Sequence, residues 1–358
     1  MRLRILTRSM TGRAGIAVAA SVLASSLALA GEPDRGLLVL TSTNDSNANQ
    51  VLVFQLQTGA DPALSLVQTL PTGGSGGVSG NAGILQMKDD FGAVANYGSN
   101  TVSAFAREGD FIQVRGRFRL ASGCSKPDSV ALTDGQLFVA GANCVESHAW
   151  PSGALDGAIV HLSDASAAQV AVGKTWGAVT FTSGSLMQVG LTGWGALNGS
   201  ATSVALPSDA NNTPLGAAFW GDILGFTPAH SPDSFALVDA RRNVYPIVGP
   251  TPPYPSNAPC WVAKGPGNAW YTSNSPGHAI SIFFGDGKGG VFYKSVPLPG
   301  APTDITVSKD HKWLAVIYSA NGSGYVAAYA IDRYGDLTPE ATSSPIGVPA
   351  FSGVAISK

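Results

Sequence analysis

A repeat marked by proline constrains this chain more than any other feature. Five phrases carry it: Lys126-Pro127-Asp128-Ser129-Val130-Ala131, Thr213-Pro214-Leu215-Gly216-Ala217-Ala218, Ala258-Pro259-Cys260-Trp261-Val262-Ala263, Ala301-Pro302-Thr303-Asp304-Ile305-Thr306 and Val348-Pro349-Ala350-Phe351-Ser352-Gly353. Each is a proline followed by a short run of mostly small and β-branched residues. Pro214, Pro259, Pro302 and Pro349 follow one another at 45, 43 and 47 residues, and Pro127 precedes Pro214 by 87, two such periods. Two members lack the proline: Ala168 to Val172, and Asn81 to Leu85. A period of about 45 residues is the length of a four-stranded propeller blade.

The interior of each period agrees. A second strand follows the first after a tight turn, as at Phe91 to Asn96, Gln136 to Gly141, Asn268 to Ser273 and Lys312 to Tyr318. A polar loop leads to a third strand, such as Thr101 to Phe105, Ala279 to Phe284 or Tyr325 to Ile331. Fourth strands are expected at Phe111 to Leu120 and Val291 to Pro297. Short β-rich runs bounded by Gly, Asn, Asp and Pro are the strand signature. No sustained helical periodicity appears after the first 30 residues.

The ends of the repeat predict closure. Leu37 to Thr41 reads as a second strand, Gln50 to Leu56 as a third and Leu64 to Leu70 as a fourth. The first blade then lacks its innermost strand, and Gly353 to Ser357 supplies a spare one. Pairing the two removes two open sheet edges. First strands near 82, 128, 168, 215, 259, 302 and 353 predict an all-β, seven-bladed propeller. Residues 165 to 255 fit the ruler least well, and the ruler alone leaves six or eight blades open there.

Composition supports a turn-rich globular chain: 44 Gly, 23 Pro and only 12% charged residues, against about 25% in typical domains. A net charge of −2 excludes a strong electrostatic case for nucleic acid or an anionic membrane surface. Arg2, Arg4, Arg8 and Arg13 precede an uncharged apolar run from Gly15 to Leu29, and Ala28-Leu29-Ala30 is a small-x-small cleavage site. The expectation is a signal peptide over 1–30, one propeller domain over 31–358 and a periplasmic or extracellular location. No later segment is long and apolar enough to span a bilayer. A closed propeller needs no partner copy, so a monomer is expected.

Several phrases resemble a known family. Asn49-Gln50-Val51-Leu52-Val53-Phe54 is similar to its third-strand pattern, and Leu66 to Gly74 to its fourth strand and exit. Asn96 to Phe105 and Pro259 to Ala263 complete the likeness. These are phrases of lactonase-family and surface-layer-type seven-bladed propellers, which include carboxymuconate cyclases and phosphogluconolactonase-like proteins. The resemblance implies a seven-bladed propeller. Its carboxymuconate branch implies His, Glu and Arg side chains in the channel. In this sequence no Arg stands at a first-strand start; Arg107, Arg115, Arg117 and Arg119 lie on outer strands of the second blade.

Candidate chemistry is sparse. Cys124 precedes a first strand and Cys144 follows the second strand of the same blade, so antiparallel pairing sets them side by side. Export permits a disulfide between them, closing a loop worth roughly 3 kcal/mol. Cys260 begins another first strand and reads as a buried small apolar residue. No two cysteines stand at metal-ligand spacing, and no metal or cofactor is expected. A lactonase needs a base for water and a cation for the oxyanion. Glu146 and His148 alternate and share a strand face as candidate bases, and Lys126 is the candidate cation. Asp128, Trp261 and Asp304, at the starts of first strands, are candidate ligand-binding residues. The same Asp residues also suit turn capping, and the Glu146–His148 pair also suits a surface loop. Gly73-Gly74-Ser75-Gly76-Gly77 matches a nucleophile elbow without the helix that motif requires. Two function classes follow: an exported module binding a small molecule or an exported protein, or a hydrolase opening a cyclic ester.

Overall fold

The computed structural model describes residues 36–77, 83–230, 234–248, 258–347 and 352–358. The expected signal segment, and the Pro349 that marks the last repeat, lie outside these residues. The described strands form seven antiparallel sheets. Six sheets follow the chain outward from an innermost strand: Leu85–Lys88, Pro127–Leu132, Ala167–Val172, Pro214–Trp220, Pro259–Lys264 and Ala301–Val307 open blades 2 to 7. The first blade is ordered Ser352–Ser357, Leu37–Ser42, Gln50–Gln57, Ala63–Pro71, so the last strand of the chain is its innermost. The two ends zip in register, Val39 opposite Ile356 and Leu40 opposite Ala355. The ring is a seven-bladed propeller with the closure the repeat predicts. Blades 4 and 5, where the ruler was weakest, each hold four strands. Blade 3 departs from the pattern: Ala154–Leu155 and Val160–His161 share the outer position beside Cys144–Ala149.

The core explains why these strands read as apolar runs rather than as alternation. Each sheet packs on both faces, so both sets of side chains are buried. The buried apolar residues sort into seven clusters, one per seam between blades. Leu37 and Val39 face blade 7, while Leu38 and Leu40 face blade 2. Middle strands such as Trp176–Phe181 and Ala269–Asn274 are buried at every residue.

The proline slot has a local cause. Proline lacks an amide donor and is tolerated at the first residue of a strand. Here Pro127, Pro214, Pro259 and Pro302 each begin or nearly begin an innermost strand. The register then slips by one residue immediately afterwards, as between Pro127 and Ser129, Pro259 and Trp261, and Pro302 and Asp304. The same bulge occurs at Ala168 and Gly353 without a preceding strand proline. Gly353 takes a φ of 78°, and a Cβ there would meet the Leu85 amide nitrogen at 2.7 Å.

Candidate functional site

An innermost strand has a hydrogen-bonded neighbour on one side only. Its side chains alternate between the two seams: Trp261 and Ala263 pack toward blade 7, Val262 toward blade 5. The strand therefore turns its backbone edge, not its side chains, to the channel. That edge carries amide groups in need of partners.

The slot just after each bulge supplies them. Ser129 Oγ accepts from Val170 N at 3.2 Å, Gln169 Oε1 from Ala217 N at 2.7 Å, and Asp304 Oδ2 from Val354 N at 3.2 Å. In each case a side chain of one blade caps the inner edge of the next. Asp304 does more. Its Oδ2 also lies 3.5 Å from Gly83 N, and its Oδ1 accepts from Ile305 N at 2.7 Å. One buried carboxyl thus joins blades 7, 1 and 2 across the closure seam. Burial pushes it up to about 7 against the pull of these amides. Blades 5, 6 and 1 hold Gly216, Trp261 and Val354 in the slot. Trp261 is 3% exposed and belongs to the blade 6–7 core.

Asp128 occupies the bulge itself, one residue before the slot that Asp304 fills. It is also buried, and burial holds it up to about 7, with Lys126 pulling the other way. Its Oδ1 has no hydrogen-bond partner among the described residues.

Glu146 and His148 share a strand face, as their alternation predicts, and meet at 2.9 Å through Glu146 Oε2 and His148 Nε2. Both are buried. Glu146 Oε1 accepts from Ala121 N at 2.9 Å, His148 Nδ1 lies 3.1 Å from the Gly153 carbonyl, and the ring packs on Phe118 at 4.6 Å. These contacts tie the outer part of blade 3 to the last strand of blade 2, away from the channel. Cys124 and Cys144 form the expected disulfide beside them, with Cα atoms 5.6 Å apart. Glu146 lies within reach of both sulfurs, the one grouping of three potential metal donors among the described residues, and the disulfide occupies the sulfurs. Lys126 is exposed in the loop before Pro127, its ammonium 5.7 Å from the Tyr97 ring centroid. Cys260 is the free thiol, and burial raises its pKa.

The channel is a cavity of about 210 Å³ lined from all seven blades, by Gln86, Gln169, Asp304 and the inner-strand edges among others. A wider cavity of about 640 Å³ adjoins it where the inner strands of blades 7, 1 and 2 end. The two share Gln86, Thr306, Val307 and Val354. Gln169, Ser129 and the whole turn end were not singled out by sequence reasoning. The signal for the first two was their shared place in the repeat with Asp304.

No protein-family model matches the chain, and no curated protein does. Solved structures do. A periplasmic gluconolactonase from Pseudomonas aeruginosa is similar at a TM-score of 0.65 and 15% identity, over 90% of this chain and 98% of that one. A candidate 6-phosphogluconolactonase from Bacteroides fragilis is similar at 0.63 and 14%, over 91% and 99%. This chain has the lactonase-type propeller fold. Other chemistries use related propellers: an inactive variant of virginiamycin B lyase from Staphylococcus aureus, solved with quinupristin, is similar at 0.56 and 13%, over 80% and 92%. A lactonase-type propeller is therefore a scaffold, and any activity resides in the site it carries. Among the described residues no helix is long and apolar enough to cross a membrane.

Proposed function

We propose that this protein is an exported binding module that holds a small molecule in the channel of its propeller and acts as a monomer. The observation that carries this reading is the commitment of the ionisable side chains. Asp304 is fastened to backbone amides of three blades. Glu146 and His148 are fastened to each other and to the blade 2–3 seam. Lys264, which also lines the channel, donates its ammonium to the Gly265 and Gly267 carbonyls at 2.7 Å, and the rest of the lining is backbone edge, amide, hydroxyl and apolar side chains, which suits binding better than bond cleavage. The N-terminal segment and the disulfide support export. Calorimetric titration of the mature protein with small polar metabolites tests it. Saturable binding without turnover supports the module, and turnover of a bound compound contradicts it.

A second reading is favoured by the gluconolactonase neighbours. It is a hydrolase opening a cyclic ester, with Glu146 or His148 as base and Lys126 as oxyanion partner. It requires the blade 2–3 seam to open, because His148 is only 2% exposed.

A further inference from the structure

Cys144, Glu146 and His148 alternate along one strand of blade 3, Cys144–Ala149, so their side chains leave the same face. Cys124 reaches that face from the loop end of the propeller, where chain segments lead into the inner strands. All four residues are buried. The two sulfurs and a carboxylate oxygen of Glu146 lie within 4.8 Å of one another. Glu146 Oε1 is 3.7 Å from Cys144 Sγ. In the disulfide form the carboxylate gains little from that neighbour, because a bonded sulfur carries no hydrogen to donate.

Opening the bond changes the chemistry of this cluster. A dithiol reduces it by breaking S–S, supplying two electrons and two protons and leaving as its own disulfide. Two thiols and a carboxylate then meet at one buried point. Thiolate sulfur favours zinc and similar ions over magnesium or calcium. A bound ion displaces the two thiol protons to solvent. Zinc sits about 2.3 Å from sulfur and about 2.0–2.2 Å from a carboxylate oxygen, so three donors this close can converge on one ion by small side-chain movements.

The surroundings suit that role. His148 Nε2 is 2.9 Å from Glu146 Oε2, and its Nδ1 is 3.1 Å from the Gly153 carbonyl. A ligating carboxylate held from behind in this way is oriented for its metal. Ala121 N donates to Glu146 Oε1 at 2.9 Å, fixing the other oxygen. Ser122 and Gly123, just before Cys124, are exposed, so solvent lies one residue from the site.

We infer that Cys124, Cys144 and Glu146 of the reduced chain form a binding site for a thiophilic divalent cation, zinc foremost, with His148 as a positioning residue. Oxidation to the disulfide closes the site. It lies in the outer part of blade 3 and does not depend on the channel-binding reading. An exported chain meets reducing conditions before it leaves the cytoplasm.

The test is titration of the mature protein, reduced with a phosphine and freed of metal, with cobalt and then zinc. The reduced protein should take up one cobalt per chain with sulfur-to-cobalt charge-transfer absorption, and zinc should displace it. The oxidised protein keeps the same residues without their thiols and should show no such band. Glu146→Gln and His148→Ala should each weaken binding by about tenfold to a hundredfold. His148→Gln, whose amide can still donate to the carboxylate, should recover most of the loss. Cys260→Ser, at the free thiol, should leave binding unchanged. Zinc should also raise the melting temperature of the reduced protein and not of the oxidised one, a comparison that needs no variant. A reduced chain that unfolds should refold on adding zinc. Absence of the band in the reduced protein, an equal band in the oxidised protein, loss of the band in Cys260→Ser, or a reduced chain that zinc neither stabilises nor refolds overturns the inference.

Discussion

The loop end and the turn end of the channel use the same inner strands and hold them by different physics. At the loop end, buried side chains cap the amides of the next blade, and Asp304 joins three blades at the seam where the chain closes on itself. At the turn end, where the inner strands finish, the same blades are linked by exposed ion pairs such as Lys309 with Asp89 and, behind the inner strands, by buried Arg107 of blade 2, which donates to Ser357 Oγ of blade 1 at 3.2 Å. Buried hydrogen bonds left without a partner are costly, whereas exposed ion pairs contribute little. The inner edge is therefore held by buried polar bonds at the loop end and mainly by exposed ones at the turn end.

Four substitutions test the difference between the two ends. Asp304→Ala leaves three buried amides without an acceptor and should cost about 3 kcal/mol at pH 5 by urea unfolding. The cost should shrink at pH 8. The sign follows from the raised pKa: the folded state keeps a proton on Asp304 that the unfolded chain releases near 3.8. The stability of the natural protein linked to this group is thus complete below 3.8 and lost as pH rises to about 7. An equal cost at both pH values would remove the buried-acid account. Replacing Cys124 and Cys144 together with Ser should cost about 3 kcal/mol, from loop entropy at the loop end of blade 3. Gln169→Leu frees one amide, that of Ala217, and should cost about 1 kcal/mol. Lys309→Ala at the turn end should change stability by less than about 0.5 kcal/mol. A loss as large as that of Asp304→Ala would erase the distinction between the two ends.

Much of this fold is legible in the sequence, for a definite reason. Proline marks the start of an inner strand because its missing amide is harmless at the first strand position, so Pro127, Pro214, Pro259 and Pro302 measure the blades directly. The closing strand is legible because the first blade, from Leu37, opens one strand short. The Cys124–Cys144 bond follows from antiparallel adjacency together with the expected export. The sharing of a face by Glu146 and His148 follows from strand alternation. Which seam that face meets does not, because it depends on how blade 3 leans on Phe118 of blade 2. The direction of Asp128, Trp261 and Asp304 was likewise hidden. Repeat position places them at the channel rim, and only the bulge and the packing of neighbouring blades turn their side chains into the seams. The turn-end cavity leaves no mark on any single repeat, since three separate blades build it.

Hydrolysis of a panel of small lactones by the mature protein, followed with a pH indicator beside Lys126→Ala and His148→Ala, separates a binding module from a hydrolase. The binding-module account predicts no turnover above buffer for any of the three proteins. Turnover by the natural protein that is lost in either variant would contradict it and place a hydrolase at the blade 2–3 seam.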